Sequence, residues 1–141
     1  VGLYMVTQLF ERGELTEGSI EDHYVTFLTG IFRSVRFGAS SAHGQANMVR
    51  FNYFQENGAF SRDAASGTYR VDFEGMRAAV DDLGELILTL QGDGDYDGVD
   101  QLMSEKGMVP AELQGDLDRL DAMGIPRDIV FEQGIEVLFG G

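Results

Sequence analysis

The side chains best equipped for chemistry lie in one run, Ala42-His43-Gly44-Gln45-Ala46-Asn47-Met48-Val49-Arg50-Phe51-Asn52-Tyr53-Phe54. Residues three or four apart share a face of a helix, so a helical reading puts His43, Asn47, Arg50 and Phe54 on one narrow stripe. Met48, Val49, Phe51 and Tyr53 fall on the remaining surface. The helix is therefore apolar beyond the single stripe of a solvent-facing segment and is expected to be largely enclosed. An imidazole, an amide and a guanidinium on such a helix need partners, because burying each without hydrogen bonds costs about 1–3 kcal/mol. They find them either in one another and nearby backbone, which is a structural role, or in a ligand, which is a functional one.

Other chemistries are narrowed by composition. The chain has no cysteine, which removes disulfides, thiolate catalysis and thiolate metal sites together. Any metal must be held by histidine or carboxylate. The two histidines, His23 and His43, are too far apart to share a face of one short helix, and neither sits in the pattern that places two imidazoles one turn apart. No zinc site is expected within these residues.

Asp93-Gly94-Asp95-Tyr96-Asp97-Gly98 reproduces the first half of a calcium loop, with carboxylates at alternate positions and glycine where the chain must turn sharply. The second half fails. Ser104 stands where the bidentate acid belongs, Glu105 comes one residue late, and Asp100 replaces the usual aliphatic residue. A polar turn between helices is the expected structure.

The formal charge of −14, from 24 acidic and 10 basic side chains, repels phosphate backbones and anionic lipid headgroups, so neither nucleic acid nor membrane is an expected partner. Lys106 is the one lysine; abundant acid with scarce lysine is the composition of a protein from a high-salt cytoplasm, and the cytoplasm is the expected compartment. No apolar run approaches the length needed to cross a bilayer. At 141 residues with 43% apolar side chains, one domain over residues 1–141 with a real core is expected.

Helical spacing organises most of the chain. Val1 to about Arg12 reads as a helix with Leu3, Val6 and Phe10 on one side and Gly13 as its stop. Ser19 and Asp22 form a capping-box pair before Tyr24, Phe27, Leu28, Ile31, Phe32 and Val35, with Gly38 as terminator. Ser40 or Ser41 caps the helix of His43, which ends at Asn57-Gly58. Alternation around Asp63-Ala64-Ala65-Ser66-Gly67 predicts a small hairpin. Asp72 then caps a long helix with Met76, Ala79, Val80, Leu83, Ile87 and Leu90 inside, ended by Gly92. A shorter helix is predicted over Val99 to Lys106, and Pro110 opens another with Leu113, Leu117 and Leu120 inward. Ile129-Val130-Phe131 reads as a short strand or extended packing. The predicted class is mainly α: a bundle-like domain of about five to six helices with one small β-hairpin.

Four stretches, Val1-Gly2-Leu3-Tyr4, Phe32-Arg33-Ser34-Val35-Arg36-Phe37-Gly38, Ala42-His43-Gly44-Gln45-Ala46 and Leu88-Thr89-Leu90-Gln91-Gly92-Asp93-Gly94-Asp95-Tyr96, together resemble the C-terminal part of the catalytic region of the dipeptidyl peptidase III family of zinc exopeptidases. The shorter bacterial members are the most similar. In that family a His-Glu-x-x-Gly-His helix and a later Glu-Glu-x-x-Ala/Gly helix supply the zinc ligands and the general base. The resemblance implies that this chain begins just after the last zinc ligand and that both metal motifs lie outside the 141 residues.

The family's Ala-His-x-Gln-Ala histidine is matched by His43. The resemblance implies that it hydrogen-bonds the substrate carbonyl oxygen as charge develops there, a type of contact worth a few kcal/mol. A basic residue often follows two positions after the glutamine of that motif; this chain has Asn47 there, with Arg50 one turn further along the same face. Both are expected on the substrate side. The expected function is thus a helical subdomain of a zinc-dependent exopeptidase, partnered by the zinc-bearing remainder of the catalytic region and by a peptide substrate, with zinc in the parent protein, no cofactor in this chain, and no activity in isolation. The alternative is a non-enzymatic acidic interaction or calcium-binding module.

Overall fold

The computed structural model describes residues 2–128, so Ile129-Val130-Phe131 lies outside the described residues. Six helices and one hairpin follow in the order α1 (Gly2–Glu11), α2 (Ile20–Val35), α3 (Ala42–Glu56), β1 (Phe60–Arg62), β2 (Tyr69–Val71), α4 (Phe73–Asp93), α5 (Tyr96–Lys106) and α6 (Ala111–Ala122). The mainly α class with a small hairpin is what the sequence predicts.

Local chemistry sets most of the helix boundaries. Ser19 accepts from the Asp22 backbone N–H at 3.2 Å while the Asp22 carboxylate accepts from the Ser19 N–H at 3.1 Å, closing the capping box that starts α2. Ser41, the second of the two candidate serines, accepts from Gly44 and starts α3. Asp72 does the same for α4 through Gly75 at 2.7 Å.

Three boundaries differ from expectation. Helix α4 continues past Gly92 to Asp93 and closes at Gly94, whose φ of +65° is the left-handed conformation that glycine adopts without a Cβ clash. Helix α5 begins at Tyr96 and not Val99, because Asp95 caps it by accepting from Gly98 at 2.9 Å. Pro110 occupies the capping position of α6 with no side-chain bond, one residue before the first turn.

Helix α3 is the packing centre, in contact with α2, α4, α5 and β1. Its Met48, Phe51 and Phe54 meet Tyr24, Leu28 and Ile31 of α2, Met76 and Val80 of α4, Phe60 of β1 and Leu113 of α6 in one apolar cluster. Edge-to-face rings lock this cluster: Phe32 stands at 88° to Phe51 with centroids 5.6 Å apart and approaches Tyr69 at 4.7 Å. The hairpin pairs antiparallel, Phe60 opposite Val71 and Arg62 opposite Tyr69, which places Phe60 in the core and lays Arg62 alongside Tyr69.

In α1 the deepest residue is not one of the expected Leu3, Val6 and Phe10, which are only partly buried, but Thr7. Its hydroxyl bonds the Leu3 carbonyl and the Tyr24 hydroxyl, both at 3.1 Å, so a satisfied polar pair sits between α1 and α2. Among the described residues no helix is long and apolar enough to cross a membrane.

Candidate functional site

The stripe predicted on α3 is present, but its two ends lie in different surroundings. His43 is exposed on the first turn and has no hydrogen-bond or ion-pair partner among the described residues. The helix is enclosed from Met48 onward and not at its start, so the expectation that the imidazole needs an interior partner does not apply to it. Asn47 and Arg50 are half-buried and do satisfy one another: Arg50 Nη1 donates to Asn47 Oδ1 at 2.8 Å, and Asn47 Nδ2 donates to Ser34 Oγ at 2.7 Å. The amide is thereby fixed between two helices. Phe54 completes the stripe in the core.

Gly44 explains how His43 is held. A Cβ at this position would lie 2.5 Å from the Gly38 carbonyl oxygen and 2.6 Å from the Ala39 Cα, so only glycine lets the α3 start rest on the preceding loop. Ser41 satisfies one of the N–H groups that a helix start leaves without internal acceptors. His43 sits beside the others, at the positive end of the helix dipole.

Beyond Arg50 the surface opens into a cavity of about 330 Å³ between α1, α2, α3 and α4, lined by Leu3, Tyr4, Phe27, Phe54, Leu83 and Ile87 besides Arg50 itself. A larger groove of about 690 Å³ runs beside it between α1 and α4, lined by Tyr4, Gln8, Asp81, Glu85, Leu88 and Asp93 among others. His43 lines neither.

A second polar centre went unread in the sequence. Asp116, only 6% exposed, accepts from Arg62 Nε at 2.7 Å and Nη2 at 2.9 Å, and from the Tyr69 hydroxyl at 2.8 Å. Arg119 lies 3.3 Å away on its own helix. These donors, Arg62 first and against the cost of burial, hold the Asp116 carboxyl down at about 2. Burial and the bond to the Asp116 carboxylate push the Tyr69 hydroxyl up. Every member is satisfied and the Arg62 head lies over the Tyr69 ring at 5.9 Å, so the centre is a clasp joining the hairpin to α6. Asp116 falls on the inward stripe with Leu113, Leu117 and Leu120, and a carboxylate on an apolar stripe is the signal that marks it.

The calcium-like stretch is a turn between helices. Asp93 ends α4, Asp95 spends its carboxylate on the α5 cap, and Asp97 lies in the first turn of α5. Among the described residues no three histidine or acidic side chains gather closely enough to hold a metal ion. His23 packs its ring against Phe10 at 5.1 Å, on a different helix from His43. These residues therefore do not fit a zinc site.

No family model matches the chain. Its fold matches two solved bacterial structures: dipeptidyl peptidase III from Caldithrix abyssi, with a TM-score of 0.85 and 36% identity over 99% of this chain, and dipeptidyl-peptidase III from Corallococcus sp. strain EGB, with a TM-score of 0.84 and 33% identity over 92% of this chain. The chain spans 26% and 24% of the length of those proteins. It is also 39% identical over 129 residues to Nudix hydrolase 3 of Arabidopsis thaliana, covering 92% of this chain and 17% of that protein. In sequence and fold the chain is thus dipeptidyl peptidase III-like, matching one segment of those longer proteins. The plant protein's name describes a molecule most of which lies outside the match.

Proposed function

We propose that this chain supplies the carbonyl-binding side of a peptidase active site whose metal-binding side lies in the remainder of a longer protein. The observation that carries the reading is His43: unpartnered, exposed, and held on the first turn of α3 by the close approach of Gly44 to the Gly38–Ala39 backbone. The likeness in fold and sequence to two bacterial dipeptidyl peptidase III structures supports it. In this role the imidazole N–H donates to the scissile carbonyl oxygen and is worth more in the transition state, when that oxygen is charged, than in the bound substrate. Asn47 and Arg50, next along the same face, are the substrate-binding residues of the proposal.

In this proposal the zinc of the whole enzyme, and the nucleophile it would activate, come from the remainder of the longer protein. The isolated chain is accordingly inactive in this reading. Replacing His43 by Ala in a protein that also carries the zinc-bearing region should lower peptide turnover while zinc content stays in place. Unchanged turnover overturns the assignment.

A further inference from the structure

Arg50 is the one cation among the described residues that is neither exposed nor ion-paired. Arg36, Arg62, Arg77, Lys106, Arg119 and Arg127 all hold carboxylates, and the remaining arginines are exposed. In a chain with 24 acidic and 10 basic side chains, a half-buried guanidinium with no acid beside it is an exception that asks for a cause. Its one hydrogen bond is from Nη1 to Asn47 Oδ1. Asn47 is itself fixed by Ser34, so the head is oriented while Nε and Nη2 keep their donors free.

Arg50 lines the 330 Å³ cavity, whose other walls are mostly apolar: Leu3, Phe27, Phe54, Leu83 and Ile87, with Tyr4 beside them. Its size lies within the range of small-ligand sites, about 300–1,000 Å³, and such sites join an apolar lining to one or two placed polar groups. A planar guanidinium with a free pair of donors matches a carboxylate in two-point geometry.

We propose that this cavity is a carboxylate site, taking a carboxylate carried next to an apolar side chain, as on the C-terminal residue of a short peptide. The carboxylate pairs with Arg50 and the side chain enters between Phe27, Phe54 and Leu83. The inference rests on the substrate-binding role given to Arg50 above and names the chemistry it selects. The same chemistry has a second source, an acidic side chain in the remainder of a longer protein.

The test is a titration of the 141-residue chain, followed by NMR, with N-acetyl-leucine and with N-acetyl-leucine amide. Saturable shifts centred on Arg50, at least about tenfold weaker with the amide and abolished in Arg50→Met, support the site; Arg50→Met keeps the apolar stem and so the packing. No saturation, equal binding of acid and amide, or binding that survives Arg50→Met overturns it. Repeating the titration on a protein that carries the zinc-bearing region separates the sources. Retained binding assigns a ligand; lost binding with a lower Tm in Arg50→Met assigns an internal acid; lost binding with an unchanged Tm overturns the site in that protein. Acetyl-leucine binding needs neither zinc nor His43, so this inference and the peptidase reading fail by different results.

Discussion

Arg62 and Asp116 meet in two-point geometry, Nε and Nη2 of one on the two carboxylate oxygens of the other at 2.7 and 2.9 Å, across 54 residues of chain. The bond ties the β-hairpin to α6. With the Tyr69 hydroxyl on the same carboxylate, both oxygens of Asp116 are engaged, and removal of either partner leaves a desolvated charge behind. Arg62→Met is expected to lower the Tm by about 10 °C, measured by circular dichroism at neutral pH; a change of a degree or less would show that the clasp is not a stabilising feature.

Acid should act through the same carboxyl. Asp116 titrates at about 2 in the folded protein, chiefly because Arg62 donates to it, against the ordinary value of 3.8. A folded value below the unfolded one means that the stability it contributes is fully present above the ordinary value and is lost as pH falls toward 2. Asp63 and Asp121 are displaced in the same direction, by bonds from Ser66 and Arg127 respectively. Urea unfolding of wild type and Asp116→Asn across this acid range should therefore converge as pH falls, the variant being weaker at neutral pH and less sensitive to acid. Parallel pH profiles contradict the account.

Gly44 sets the height of the α3 start. A methyl group there meets the backbone of Gly38 and Ala39, which unlike a flexible side-chain end has little room to give. Gly44→Ala should cost about 1–3 kcal/mol in urea unfolding and shift the His43 ring resonances, since the turn that presents the ring must move. Wild-type stability with undisturbed His43 signals would remove Gly44 from the positioning argument.

Asp95 distinguishes a helix cap from a cation ligand. As a cap, its replacement by Ala should destabilise the chain by about 0.5–2 kcal/mol, equally with and without calcium. If calcium stabilises wild type and leaves Asp95→Ala untouched, the turn binds the ion and the capping account is incomplete.

Much of this architecture can be read in the sequence because its causes are local. The Ser19–Asp22 box, the Ser41 and Asp72 caps and the apolar spacing of α2 and α4 each depend on residues within a few positions of one another. The unread features depend on distance. Asp116 finds Arg62 and Tyr69 only once the hairpin folds onto α6, and Thr7 becomes interior only because Tyr24 brings a hydroxyl to it. The α3 stripe is correct as a face, yet helical periodicity cannot say how far along a helix enclosure extends. The core closes around Met48 and Phe51, and His43 projects beyond it.

The most direct measurement is steady-state peptide hydrolysis by a protein carrying both this segment and the zinc-bearing region, wild type against His43→Ala, with zinc content determined in parallel. The account predicts a kcat about 100-fold or more lower in the variant, the size of effect seen when a donor to a developing oxyanion is removed, with equal zinc and a KM changed far less. Equal kcat in the two proteins would contradict it.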